Sequence, residues 1–551
     1  MTLRLLTAAA ALALAAAPAT AQPDKADGPA VTAQLAPLGK ALADVKSIVR
    51  TVAGDAAVKQ MEEAIEAQLG EKGFEGIDLI RPAVGYVNLD KAESLEDYKN
   101  FTGVVMVPVT SEKEFVAFLK RIKLDVEPVK GKAGLYRIDP RDEPAPFPVR
   151  MRFADRYAHI GINMKDEALA ADKLVPAAKL VNPAERGLFA YTTYYGRMPK
   201  GLAEQAGKQL EQMTEQLKQA PLPPGVADSL GAAVKSIVKM NEQMYREGDV
   251  AVVRVFHDPT TAEVGYEMTL KAKPNTALAK EIAGRKPTAN RFAGLVGDAA
   301  AAGLLAQLPT FSPEVRAAIA DGLGAGRKAA AQEAPEKYQA AIDEALAGLS
   351  RTVKSGEFDL GAALTGPDKD GHFTAVVGVS FDDPSKLEKE LRALHKKAPE
   401  EIRDMIKLDD AKAGGVSVHR MAVGLFLPDE AKAVFGDKAS VCVAFAPKAI
   451  YATFGPAAVE AIKTAIAAKP GEAKALDVVV NPARVQKLAA AIDPRAGQQV
   501  AQAIGTEDKR VSALSLAVEG GDELRIRFTL ALKLIPRAIA HTAAFPAGAQ
   551  P

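Results

Sequence analysis

A pattern of strand, cap and amphipathic helix occurs twice in this chain, and that repetition constrains the fold more than any other feature. Phe101-Thr-Gly-Val-Val-Met-Val107 matches Phe373-Thr-Ala-Val-Val-Gly-Val379 at an offset of 272. A turn and a helix start follow each copy. Ser111-Glu-Lys-Glu114 has capping-box spacing, and Asp383-Pro384 puts an N-cap before a proline at the first helical position. Behind the caps, Phe115, Leu119 and Ile122 align at the same offset with Leu387, Leu391 and Leu394. Those spacings fall on one face of a helix.

The correspondence extends along the chain. Met151 to Phe153 and Tyr157 to Ile160 read as a hairpin, and their partners are Val443 to Phe445 and Ala449 to Ala452. Leu188 to Thr193 corresponds to Leu476 to Val480. Each copy closes on a long hairpin. In the first, Val252 to Phe256 turns at Asp258-Pro259 into Val264, Tyr266, Met268 and Leu270; in the second, Leu514, Leu516 and Val518 turn at Gly520-Gly521 into Leu524, Ile526, Phe528 and Leu530. Glu263, Glu267, Arg525 and Arg527 alternate with them, which predicts one buried and one wet face of antiparallel sheet.

Together these signals predict an α+β fold of two tandem related units, a duplication spanning about 32–285 and 286–545. Each unit is expected to be a mainly antiparallel sheet with helices packed on one face, plus long helical segments. Residues 32–71, broken near Gly54, and 298–353 read as helical lead-ins, and about 202–247 as a helical insert. Residues 22–31 and 546–551 read as a loose linker and a tail.

The N-terminus predicts an address. Arg4, the apolar run Leu5 to Ala17, Pro18 and Ala19-Thr20-Ala21 have the layout of a secretory signal peptide cleaved after Ala21. The run is shorter than the roughly 20 residues that span a bilayer, so no transmembrane segment is expected in the mature chain. The single cysteine, Cys442, lies far from the cleavage point, so no lipid anchor is expected either. The predicted location is the periplasm or the exterior of a bacterial cell. With 70 basic and 69 acidic residues, the chain lacks the positive surplus of a nucleic-acid binder.

Motifs that could carry chemistry read better as structure. Gly322-Leu-Gly324-Ala-Gly326 follows a helical stretch, whereas a phosphate loop follows a strand, so these glycines read as a helix stop and linker. Asp368-Lys-Asp370-Gly371 lacks the carboxylates of a calcium loop at both ends and reads as a tight turn. Ser236-Ile-Val-Lys239 has no companion triads. The six histidines form no i, i+4 metal pair, and Ser417 and His419 share a strand face without a nucleophile elbow. Adjacent acids at Glu62-Glu63, Asp382-Asp383 and Asp409-Asp410 read as solvated carboxylates on helix surfaces or turns. Cys442, between two valines, reads as a buried, unreactive thiol. No catalytic, cofactor-binding or metal-binding residue is assigned.

One cluster stands out as a binding candidate. In Tyr191-Thr-Thr-Tyr194-Tyr195-Gly-Arg197, strand alternation sends Tyr191 and Tyr195 one way and Tyr194 the other, and tyrosine with arginine is favoured at interfaces. Tyr191, Tyr194, Tyr195 and Arg197 are therefore the candidate partner-binding residues.

Glu75-Gly-Ile-Asp78-Leu-Ile-Arg81-Pro82, leading into Val84-Gly-Tyr-Val87 and Val104 to Thr110, resembles a recurrent pattern in large exported bacterial proteins. The resemblance covers most of each repeat, rests on structural motifs and implies an exported α+β protein with no assigned activity. The functional expectation is a non-catalytic exported protein that binds a protein partner, an envelope component or an apolar ligand, with no cofactor. The alternative is a secreted or periplasmic hydrolase whose site is assembled from distant segments.

Overall fold

The structure is a computed structural model that describes residues 28–89, 102–141, 148–199, 212, 242–285, 289–307, 316–317, 319–324 and 335–534. In the first half the alternating segments form β1 (Val31–Leu35), β2 (Ala83–Asn88), β3 (Thr102–Pro108), β4 (Leu124–Pro128) and β5 (Leu135–Pro140). They continue with β6 (Val149–Ala154), β7 (Tyr157–Ile162), β8 (Phe189–Tyr194), β9 (Gly248–Asp258) and β10 (Glu263–Ala272). After the short β11 (Ala289–Asn290) come β12 (Ala300–Gln307), β13 (Asp359–Thr365), β14 (Thr374–Ser380), β15 (Ile406–Ala413) and β16 (Val416–Ala422). The last are β17 (Ser440–Ala446), β18 (Ala449–Gly455), the short β19 (Gly471–Glu472), β20 (Leu476–Val480), β21 (Val511–Glu519) and β22 (Leu524–Ala531).

Apart from β11 and β19, which pair with each other, these strands join in one antiparallel sheet of 20 strands. The first half contributes the order β4-β5-β6-β7-β3-β2-β1-β8-β9-β10. The second continues as β22-β21-β20-β12-β13-β14-β18-β17-β16-β15. Counted in chain order from each outer edge inward, the two halves follow the same sequence of connections. They meet where the last strand of each, β10 and β22, pair with Glu267 opposite Arg527.

With helices set against antiparallel strands, the fold is α+β. Helix Glu112–Arg121 starts at Ser111, whose hydroxyl accepts the Glu114 N–H at 3.2 Å, as the cap spacing predicts. Its Phe115, Phe118 and Leu119 are buried over β4 to β7 against Val126, Ile138 and Met151. Each such side chain stabilises the fold by about 1.5–3 kcal/mol. In the second half, helix Pro384–Lys397 reaches His419 on one face of the sheet, while helix Ala458–Ala467 buries Ile462 and Ala465 beside Cys442 and Tyr451 on the other. Helices thus lie on both faces rather than one.

The helical lead-ins also differ from expectation. Helices Leu38–Ala53 and Asp55–Leu69 break at Gly54 (φ 85°), but a strand, β1, precedes them. Likewise Ala300–Gln307 is strand β12, far ahead of helix Glu336–Ser355. Both strands are flanked by partners on both sides, and that pairing overrides the helical propensity of their alanines. The insert at 202–247 lies outside the described residues except for Gln212 and 242–247, and Ser236 to Lys239 lies wholly outside them. Asp368 makes the expected turn, its carboxylate accepting the N–H groups of Asp370 and His372 at 2.9 Å each. Among the described residues no helix is long and apolar enough to cross a membrane.

Candidate functional site: an apolar groove on the sheet

The helix Glu112–Arg121 covers one face of the sheet as far as β7 and leaves much of the same face of β3, β2 and β1 uncovered, although Val31 at the start of β1 is core. There Val105 and Val107, Gly85 and Val87, and Ala33 and Leu35 line a groove of about 290 Å³, near the lower limit of small-molecule sites. Strand alternation explains its apolar character, because every second residue of these three strands is aliphatic or glycine. On the opposite face of the same strands, Val84, Tyr86, Val104 and Met106 are buried beneath Met164, Leu169 and Ala177. One face is therefore closed core and the other is open.

Gly85 forms part of the floor. A Cβ there would meet only backbone of the neighbouring strand, with the Val104 carbonyl oxygen nearest at 2.9 Å. On the closed face of β14, by contrast, a Cβ at Gly378 would strike the Phe292 ring at 2.4 Å. Phe292 plugs its part of the sheet; no described side chain plugs Gly85.

The loop before Arg81 exposes apolar side chains as well. Ile80 is 84% exposed and Leu79 38%, in the loop that carries Arg81 to the groove wall. Arg81 donates to Asp78 at 2.8 Å and to the carbonyls of Arg156 and Val109 at 2.8 and 3.2 Å, and it lies 4.8 Å over the Tyr157 ring. Burial acts to raise the Asp78 carboxyl, but hydrogen bonds from Arg81 and the Ile80 N–H, with the charges of Arg81 and Arg156, hold it below its ordinary value. Arg81 is thus fixed as a wall of the groove, with its charge already met.

The four tyrosine-cluster residues divide. Tyr191 and Tyr195 are core, 7% and 1% exposed, and Tyr195 packs edge-on against Tyr245 at 5.2 Å. Burial raises both phenols above their ordinary range. Tyr194 and Arg197 are half-buried and stack at 4.3 Å, with Arg197 also donating to the Pro29 carbonyl at 3.1 Å. Tyr191 stands directly opposite Ala33, so the sheet sets it beside the groove floor.

A polar cluster forms at the far end of the sheet. Side-chain atoms of Glu388, Asp409 and His419 lie within 4.8 Å of one another, a spacing that could hold a metal ion. Two features argue against that role. Arg392 already bridges the carboxylates, donating to Asp409 at 2.7 and 2.9 Å and to Glu388 at 2.6 and 3.0 Å. In addition, His419 Nδ1 accepts the Asp409 backbone N–H at 3.2 Å, so the ring proton sits on Nε2, 3.3 Å from Glu388. A protonated ring nitrogen is no ligand.

Ser417 bonds to Asp409 rather than to His419, so serine and histidine do not form a nucleophile and its base. Hydrogen bonds from Arg392 and then Ser417 hold Asp409 far below the usual carboxylate range. Asp409 and Asp410 are exposed as expected, but they lie in strand β15, paired with Arg392 and Arg420, rather than on a turn or helix surface. Arg392 reaches Asp409 from helix Pro384–Lys397 and Arg420 reaches Asp410 from β16, pairings that the local sequence does not reveal. Cys442 is fully buried, and burial pushes its thiol upward.

No protein-family model matches the sequence, and no curated protein matches it. A solved structure, crystal form IV of TP0453, matches over 47% of this chain and 82% of that chain, with 9% sequence identity and a TM-score of 0.21. A likeness that distant carries no argument about fold or function.

The groove itself escaped sequence reasoning. Its signal was Gly85 and Gly103 among the valines of β2 and β3, where small residues lower the floor of a strand face.

Proposed function

We propose that this chain is an exported, non-catalytic binding protein whose groove holds an apolar, acyl-chain-like ligand. The open groove on β1, β2 and β3 carries this reading. Monomeric soluble proteins rarely leave contiguous apolar surface uncovered, and a concave patch of this kind marks a ligand or interaction site. The lining offers hydrocarbon contact, and its one charged member, Arg81, is occupied by Asp78 and backbone carbonyls. Selection therefore rests on shape and on exclusion of water rather than on a hydrogen-bond code.

The leader-like N-terminus supports delivery to a compartment that contains envelope lipids. We also infer that the two halves descend from a duplicated unit. Their common strand order and the symmetric register of β10 with β22 support that origin.

The test is displacement of a fluorescent single-chain fatty acid from the delipidated full chain. Val105→Asp, which places a charge in the groove, is expected to weaken probe binding at least tenfold while circular dichroism stays unchanged. Equal probe affinity in the parent and the variant would sink the assignment.

A further inference from the structure

Building on the acyl-chain reading of the groove, we propose that the ligand is a lipid with two or more acyl chains, laid across both halves of the sheet. The groove is one end of a longer apolar track. From β2, directly opposed residues run Ala83, Leu35, Phe189, Val255 and Tyr266, crossing five strands of the first half. Tyr266 faces Phe528, and the row passes on through Leu516, Leu476 and Ala306 to Leu360. It ends at Val379, because beyond it Phe445 packs against His419 beneath helix Pro384–Lys397. None of these side chains is buried, and Leu35, Val255, Tyr266 and Phe528 are 36%, 39%, 39% and 37% exposed.

Length decides how many chains fit. Eleven strands at about 4.8 Å spacing span about 48 Å. The roughly 30 Å hydrocarbon core of a bilayer is two chains end to end, so one chain covers about 15 Å. A single chain would fill the groove and leave most of the track bare.

Width decides what kind of occupant fits. On β9, Val255 lies between Val253, 5% exposed, and His257, 7% exposed and held against Asp44 at 3.3 Å. The open strip there is about two residues wide, or about 7 Å, against about 10–12 Å for a helix with its side chains. An extended peptide fares no better. The strands carrying the row are paired on both sides, so the peptide's own N–H and C=O groups would go unmet. Hydrocarbon has no such groups.

The experiment incubates the delipidated full chain with dioleoylphosphatidylglycerol vesicles, re-isolates it and weighs bound lipid by native mass spectrometry, alongside the single-chain probe. The parent chain is expected to carry off the diacyl lipid. Phe528→Asp is expected to lower retained diacyl lipid at least tenfold while probe affinity in the groove stays within twofold. Phe528→Gln provides the milder change if the charged variant unfolds. Retention of the diacyl lipid by both variants at the parent level, or failure of the parent to take it up while it binds the probe, overturns the multi-chain assignment. Loss of probe binding in the parent overturns the groove reading instead.

Discussion

Glu267 of β10 stands directly opposite Arg527 of β22, and the register is symmetric about that pair. Leu270 faces Leu524 on one side, and Val264 faces Leu530 on the other. Each strand supplies the partner that the other's edge requires, so neither is left as a template for stray pairing. The true edges of the sheet are guarded differently. β4 carries Asp125, Glu127 and a terminal proline, and β15 carries Lys407, Asp409, Asp410 and Lys412 around a register break.

A fragment comprising residues 28–285 leaves β10 as a bare edge and is expected to self-associate through it. Two copies would set Glu267 against Glu267, and like charges directly opposite each other destabilise a strand pair. Glu267→Gln should therefore tighten the fragment dimer. Sedimentation velocity across a concentration series checks this, and monomers throughout in both forms would count against the edge argument.

Stability and binding should separate between the closed and open parts of the sheet. Phe292 is fully buried, and Phe292→Ala is expected to remove about 3–5 kcal/mol from the unfolding free energy. Val105 is half-buried in the groove, so Val105→Ala should remove about 1 kcal/mol or less. Urea denaturation gives both numbers. The same pair assayed with the fatty-acid probe should show weakened binding for Val105→Ala.

Two buried histidines make stability depend on pH in the mildly acidic range. Burial lowers His159, and burial followed by the Arg392 charge lowers His419. The unfolded chain binds these protons first, near its ordinary value of about 6.5. Their contribution is therefore complete above about pH 6.5 and is lost as pH falls toward the folded values. The slope is at most about 1.4 kcal/mol per pH unit for each histidine. Urea midpoints at about pH 7.5 and about pH 5.5 should differ in the parent, and His159→Phe should reduce the difference.

Removing the Arg392 guanidinium leaves Glu388 and Asp409 facing each other. Both carboxylates are partly solvated, at 23% and 43% side-chain exposure, so Arg392→Ala is expected to remove about 1 kcal/mol. Asp409, depressed by this partner, contributes stability above about pH 4 that is lost on acidification. The variant should lose less stability than the parent between neutral pH and about pH 3, as read by urea midpoints.

The hairpins were legible because alternation is a local signal. Val252 to Leu270 and Leu514 to Leu530 announce their strands, and the structure pairs them as the spacing predicts. β1 and β12 were not, because Val-Thr-Ala-Gln-Leu and an alanine-rich octet become strands only when neighbours flank them on both sides. The apolar face of the closing hairpins was expected to be buried. Whether Val255, Tyr266 and Phe528 are covered depends on segments distant in the chain, and no local pattern reports that. Tyr191 and Tyr195 illustrate the same limit: alternation sorted their faces correctly, but only the packing of Tyr245 decides that theirs is the inner one.

Because both central strands belong to one polypeptide, residues related across their axis are free to differ. Two identical subunits must place the same residue on each side of a dyad, whereas here an acid meets a base. That asymmetry extends outward. One arm fills its closed face with an aromatic wedge, while the other fills the matching position with the buried Met106. A single covalent link thus turns a symmetric scaffold into one with two different ends.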